Sequence, residues 1–506
     1  MSDGYEPLTG PPPVPLDPKR RLERLGVVDV GSNSVRLVMF DGAARSPAYF
    51  FNEKILCGLG RGVVETGRLN PEGRARALRA LKRFAHLARA MGSGPLYGVA
   101  TAAVREARDG PEFCEEVARE TGLRLWVVSG REEARLSAQG VLLGWPGATG
   151  LMCDIGGSSM ELAALTGGEV GQAMTTPLGP LRLARHEAEG SLDREIATRI
   201  KALRSQMKGH FETLFLVGGS WRAIARLDME RRDYPLKVLH EYAMTPADAE
   251  ATADWIEGKD VEALRACTGS SLERMQLVPV AARVLNALIG AFSPSCIAVS
   301  SYGIREGLLY EQMPKSLRRR DPLIEACRHM ERASARHPGF GRTLFDFLSP
   351  VFCGWAPDRL RLVHAACLLH DVTWRAHPDY RAEVCFDNAT RANLGGLDHA
   401  GRVFLGLALL HRYKNASSGA GFERVTRLLS EEETKAARTL GKAMRFGAML
   451  SGASPGMMGR LVLDGDGGTL ELHLEAKARD LFGEVVLTRF QSLARSLECE
   501  GRVVID

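Results

Sequence analysis

No stretch of the 506-residue chain is an uninterrupted apolar run long enough to span a bilayer, which argues against a membrane-inserted helix. No apolar segment precedes a cleavage site in the opening MSDGYEPLTGPPPVPLDPKRRLERL, which is polar, proline-rich and basic at its end. Residues 1–23 therefore read as a disordered leader on a cytoplasmic protein. The ten cysteines include no C-x-x-C pair and no cysteine–histidine cluster at zinc spacing. That excludes a disulfide framework and a structural zinc and leaves them as reduced core residues. Excess charge is also scarce: a net charge of +5 is too small at this length to demand a nucleic-acid partner. Arg318, Arg319 and Arg320 form a local basic run, read as a solvated linker that would draw in a polyanion only if it lined a cleft.

What is present is a globular composition, 45% hydrophobic and 25% charged, on a chain too long for a single core. LGVVDVG and SVRLVMFDG are strand-like runs joined by a turn. A helix follows around residues 71–91, then a strand LYGVATAAV, a helix from Pro111 to Glu120 and a strand LRLWVVSG, an alternation that predicts α/β layers. GWPGATG, residues 144–150, breaks the pattern, and it restarts at Leu151. The restart is a repeat: Asp29-Val30-Gly31-Ser32-Asn33-Ser34-Val35-Arg36-Leu37 aligns with Asp154-Ile155-Gly156-Gly157-Ser158-Ser159-Met160-Glu161-Leu162. Two similar lobes are implied, 24–143 and 144–316, with a ligand cleft between them. Beyond PKSLRRRDP the pattern predicts an all-α domain over 321–455. A small α+β subdomain is predicted over 456–506, with a hairpin around Asp466-Gly467-Gly468.

Turns of Gly, Ser and Asn at strand ends leave backbone N–H groups open to anionic oxygens. The duplicated turn supplies Ser32, Asn33, Ser34, Gly156, Gly157, Ser158 and Ser159, and the strand end Gly218-Gly219-Ser220 adds to the same phosphate cleft. Arg105 and Arg305, also at strand ends, are candidates to fork onto phosphate oxygens; the bland reading of each is a surface pair. Asp154 and Glu161 bracket the second turn, and two carboxylates beside phosphate-binding amides suit Mg²⁺. The alternative is a turn-capping Asp154 and a solvated Glu161. Arg36 holds the place of Glu161 in the first copy, so one turn is cationic and the other anionic. Ser129 and Glu132 have the spacing of a capping box, which leaves Glu133 either as helix-dipole compensation or as a general base.

These residues resemble the exopolyphosphatase and guanosine pentaphosphate phosphohydrolase family, which has the actin-like, ribonuclease H-like fold of sugar kinases and heat-shock chaperones. DVGSNSVRL, ATAAVREA, SGREEARL, DIGGSSMEL, VGGS and GIREGLLYE occur in the family's order. The resemblance implies Mg²⁺-dependent hydrolysis of the terminal phosphoanhydride of inorganic polyphosphate, with Glu133 as general base and Asp154 and Glu161 as metal and catalytic acids. Guanosine pentaphosphate hydrolysis to the tetraphosphate is the alternative, with these nucleotides as substrate or inhibitor. A silent alarmone-binding regulator and an acceptor kinase of the same fold rank lower. The resemblance further implies a homodimer, while the low net charge and the lack of a long apolar run imply neither nucleic acid nor a membrane as partner. The family often carries a third glycine where this chain has Ser158, which singles out the loop geometry there. LLHDV makes the helical domain HD-like through His370 and Asp371. Ala448 stands where that superfamily usually carries its last aspartate, so no working second metal site is expected, and His399 and His411 read as structural.

Overall fold

The computed structural model describes residues 24–505 except 43, 93, 95, 416–419, 454–458 and 465–467. The expected leader and the turn residues Asp466 and Gly467 lie outside the described residues. The chain divides into two units, residues 1–320 and 321–506, parting within PKSLRRRDP.

The first unit holds two sheets of one design. In the first, β1 (Leu25–Val30), β2 (Ser34–Phe40) and β3 (Tyr49–Leu56) run antiparallel, and β4 (Leu96–Ala100) and β5 (Leu125–Val127) extend β1 in parallel, giving the order β3-β2-β1-β4-β5. In the second, β6 (Gly150–Ile155), β7 (Met160–Thr166) and β8 (Glu169–Thr176) repeat the meander. β9 (Thr213–Gly218) and β11 (Cys296–Val299) repeat the parallel extension, and β10 (Tyr242–Met244) is added antiparallel at the edge. β1 and β6 are central strands covered on both faces, hence their near-continuous apolar runs, and each carries its one acid at the carboxyl end. Ligands bind outside that end in α/β sheets.

The helix Gly130–Gly144 packs along the helix Ile304–Gln312 in the core layer between the sheets, where Val27, Trp126, Met152 and Phe215 also meet. The helices touch at backbone distance. A Cβ on Gly307 would lie 1.8 Å from the Leu136 carbonyl oxygen, and one on Gly140 would lie 2.2 Å from that of Gly303, so only glycine fits.

Four expectations change. TAAV does not prolong β4: Arg105 N–H donates to the Thr101 carbonyl, and Ala102–Glu106 is a short helix turning off the sheet end. The capping box forms by half. Ser129 Oγ accepts from Glu132 N–H at 3.2 Å, but the Glu132 carboxylate is taken by Arg135, which also holds Glu311. Cys267 and Cys353 are exposed rather than core, although all ten cysteines are free. Arg318 is not simply solvated: it donates to the Met313 and Glu311 carbonyls and covers the Tyr310 ring. Among the described residues Leu272–Phe292 is long and apolar enough to cross a membrane by length and composition alone, yet Val278, Val280, Leu285 and Leu288 are buried in the core around the second sheet.

In the second unit, helices including Pro322–Ser334, Pro357–Leu369, His399–His411 and Glu431–Leu450 pack with a three-stranded sheet, β12 (Arg460–Leu463), β13 (Thr469–Leu474) and β14 (Glu500–Ile505), and the helix Glu484–Ser496. The predicted hairpin is present as β12–β13. Leu409, Phe446, Leu470 and Phe490 belong to one hydrophobic cluster, so the helical and α+β parts share a core.

Candidate active site

Register converts the sequence repeat into two matching rows of side chains. Asp29 on β1 stands opposite Arg36 on β2, which stands opposite Lys54 on β3. Asp154 on β6 stands opposite Glu161 on β7, which stands opposite Thr175 on β8. Residues opposed across antiparallel strands share a face, so each row is one contiguous patch. The turns match too: Gly31 N–H donates to the Ser34 carbonyl at 3.0 Å and Gly156 N–H to that of Ser159 at 2.9 Å.

The two turns meet, with Ser158 Oγ donating to Ser32 Oγ at 3.2 Å. Ser158 has none of the positive φ angles that favour glycine, so a serine fits there without backbone strain. At the neighbouring Gly157 a Cβ would meet the end of the exposed Leu181 side chain at 2.8 Å, which that side chain can relieve by moving. The Asn33 carbonyl accepts from Cys57 and Gly58 and ties the first turn to the end of β3. Gly218, at φ 118°, closes β9 beside Asp154 in a conformation reserved for glycine, and Gly219 and Ser220 open the helix that follows.

Glu133 lies in the first turn of the helix Gly130–Gly144 and accepts from Arg105 Nη1 at 2.9 Å. The same nitrogen donates to the Val128 carbonyl, so here Arg105 is engaged with the acid and the backbone rather than presented as an open fork. Burial pushes Glu133 up to about 7, against the pull of Arg105 and with added repulsion from Asp154 and Asp29. Burial also raises Asp154, opposed by the Ser137 hydroxyl, which donates to Oδ2 at 2.5 Å, and by Arg222. Glu161 is raised well above the usual range by burial and then by Glu133 and Asp154. It is hydrogen-bonded by the hydroxyls of Ser159 and Thr175, the latter at 2.9 Å. Asp29 is raised by burial, with Arg305 and Arg36 opposing. Far from being solvated, Glu161 is 1% exposed.

Facing these acids is a crowd of cations. Arg222 is lowered to about 10 by burial and by Arg305, Arg36 and Arg274. Arg36 is likewise lowered to about 10, by burial and Arg305, and Lys54 to about 8, by burial, Arg274 and Arg36. Arg305 is buried, and its Nε and Nη1 have no acceptor among the described residues. Cations that depress one another form a seat for a multiply charged anion. Sequence reasoning missed Ser137, Thr175, Lys54, Arg222 and Arg274. Strand register would have found Lys54 and Thr175, while Arg274 arrives from a distant short helix with no local signal.

His370 and Asp371 in the second unit are both hydrogen-bonded within the protein. Asp371 accepts from Arg336 Nε and Nη2 at 2.8 and 2.6 Å, and His370 Nδ1 is hydrogen-bonded to the Cys367 carbonyl at 2.7 Å. Burial and Arg412 lower His370 to about 4, leaving the ring neutral. His399 and His411 are buried, as is Ala448. Among the described residues no three His, Cys, Asp or Glu side chains converge as metal ligands.

Comparison with known proteins identifies the family. Residues 38–316 match the Ppx/GppA phosphatase family and residues 323–502 the family described as exopolyphosphatase, C-terminal. Exopolyphosphatase 1 of Mycobacterium tuberculosis is 33% identical over 165 residues, an alignment covering 32% of this chain and 48% of that protein, about half its length. Exopolyphosphatase 1 of Mycobacterium leprae is 28% identical over 305 residues, covering 57% of this chain and 89% of that protein. The crystal structure of the Aquifex aeolicus Ppx/GppA family member superposes with a TM-score of 0.50 at 25% identity, covering 58% of this chain and 98% of that one. With its first family match spanning more than half of its residues, the chain belongs to the Ppx/GppA phosphatase family.

Proposed function

We propose that the chain is an exopolyphosphatase, hydrolysing the terminal phosphoanhydride of inorganic polyphosphate to orthophosphate. The observation that carries this reading is the pairing of Glu133, raised to about 7, with the cation cluster of Arg36, Lys54, Arg222 and Arg305. A carboxylate poised near neutrality is matched to deprotonating water, and densely packed cations to a polyanion. In the reaction, water oxygen attacks the terminal phosphorus while Glu133 takes its proton. The bridging P–O bond breaks and the shortened chain leaves with that oxygen. Arginines and turn amides hold the non-bridging oxygens in place.

The donors at Asp154 and Glu161 fit Mg²⁺: they are hard oxygens, and a cation would offset the burial that raises both and the repulsion that Asp154 receives from Asp29 and Glu161 from Glu133 and Asp154. With no cluster of three protein ligands among the described residues, these two carboxylates would hold the ion and the substrate and water would complete its shell. When bound, Mg²⁺ neutralises developing charge on the phosphoryl oxygens.

A long substrate is supported by the second unit. Its helix Glu431–Leu450 carries Arg438, Lys442 and Arg445, and its helix Glu484–Ser496 carries Arg489 and Arg495. Burial and these neighbouring cations lower both Lys442 and Arg445. The deciding experiment measures phosphate release from long-chain polyphosphate and from guanosine pentaphosphate at equal phosphate concentration, with and without Mg²⁺. Faster metal-dependent turnover of the polymer is expected. Preference for the nucleotide moves the substrate to guanosine pentaphosphate, and metal independence removes the role given to Asp154 and Glu161.

A further inference from the structure

Ser137 is fully buried on the helix Gly130–Gly144, among Leu136, Ala138 and Val141. A hydroxyl in such surroundings costs stability unless it is bonded, and a mid-helix serine ordinarily bonds back to its own helix. Here its bond goes across to the second sheet, where Oγ donates to Asp154 Oδ2 at 2.5 Å. Ser137 follows Glu133 by four residues, so both lie on one face of the helix. The opposite oxygen, Asp154 Oδ1, faces the Gly218 strand end, 3.2 Å from where a Cβ on that glycine would stand.

We propose that Ser137 is a positioning residue, which anchors Asp154 Oδ2 and leaves Oδ1 for the phosphate and its cation, so that one rigid helix sets both acids. This rests on Asp154 being a substrate- and cation-facing acid, as in the function proposed above. A carboxylate without the anchor rotates about its terminal torsion, which is broad. Losing the partner that orients a metal-binding side chain typically lowers affinity or activity by about 10- to 100-fold.

The test compares full-length parent, Ser137→Ala and Ser137→Thr in three measurements: kcat and KM for polyphosphate, melting temperature, and Mn²⁺ affinity by electron paramagnetic resonance. For Ser137→Ala we expect kcat to fall about 10- to 100-fold with KM within about twofold, and Mn²⁺ to bind about tenfold more weakly. Ser137→Thr, which keeps the hydroxyl, should restore both to within about threefold. An alanine variant with parental kcat and Mn²⁺ affinity overturns the proposal. So does a loss that follows melting temperature alone and that threonine does not restore. If the parent releases no phosphate from polyphosphate, the functional reading fails while the Mn²⁺ comparison still decides Ser137: equal affinity in parent and alanine variant rejects it, and weaker affinity in the variant supports it.

Discussion

Glu133 illustrates how a buried residue can be bad for the fold and yet suited to the proposed reaction. Its pKa in the folded chain stands above the ordinary glutamate value, at about 7, because burial outweighs the Arg105 contact. The stabilising contribution of the protonated form is therefore complete below the unfolded pKa and is lost as pH rises through about 7. The proposed catalysis runs the other way, since a general base must be ionised. Glu133→Gln should cut phosphate release by about 10²-fold or more. The same variant should melt a few degrees higher than the parent at pH 8, a difference that shrinks as pH falls below about 7 and disappears only below the unfolded value of 4.5. A pH series of melting curves beside the activity assay checks both signs, and an unchanged rate would reject Glu133 as the base. Arg305 makes the parallel case among the cations. Arg305→Met removes a buried guanidinium with two unsatisfied nitrogens, so melting temperature should hold or rise while KM for polyphosphate rises at least about tenfold, the loss expected for a charge-assisted hydrogen bond.

Elements are where the sequence was most and least legible. The duplicated hairpin could be read from residue types alone, because a strand buried on both faces must be apolar until the acid at its end, and both copies obey this. Lys54 and Thr175 were legible in principle, since antiparallel register places them beside Arg36 and Glu161, but nothing local marks them. Arg222 and Arg274 were not legible: their meaning comes from three-dimensional crowding, which neither spacing nor periodicity encodes. The junction at Thr101 failed for a related reason, because TAAV has strand composition and only the end of the sheet makes it turn into a helix. The pairing of the helices Gly130–Gly144 and Ile304–Gln312 gives an element-scale prediction. Gly307→Ala would place a Cβ 1.8 Å from the Leu136 carbonyl oxygen, one turn from Glu133. Backbone cannot yield as a side chain can, so the helices must separate, at a cost of about 1–3 kcal/mol or more. Melting temperature and phosphate release should fall together, whereas Ser137→Ala should lower kcat with little change in melting.

At the scale of the molecule, the formal charge of +5 is a poor guide to what the surface does, because the cations are gathered rather than spread. One gathering lies at the acids of the first unit and a second on the helices Glu431–Leu450 and Glu484–Ser496 of the second unit. A linear polyanion that touches several cations releases counterions, and its affinity falls with salt in proportion to the contacts made. If the second gathering holds polymer, the triple variant Arg438→Gln, Lys442→Gln, Arg445→Gln should raise KM for long-chain polyphosphate and flatten its salt dependence. The slope of log KM against log salt should drop by about two to three, near one per charge removed. If the first unit alone holds a short chain, turnover of tripolyphosphate should keep its parental kcat and KM. Equal losses on both substrates would instead mean that the variant disturbs the fold or the chemistry, and unchanged KM for the long chain would confine polymer binding to the first unit. Kinetics with the two chain lengths at several salt concentrations separate these outcomes, because a loss of fold or chemistry acts on both substrates whereas a loss of polymer contacts acts on the long one alone.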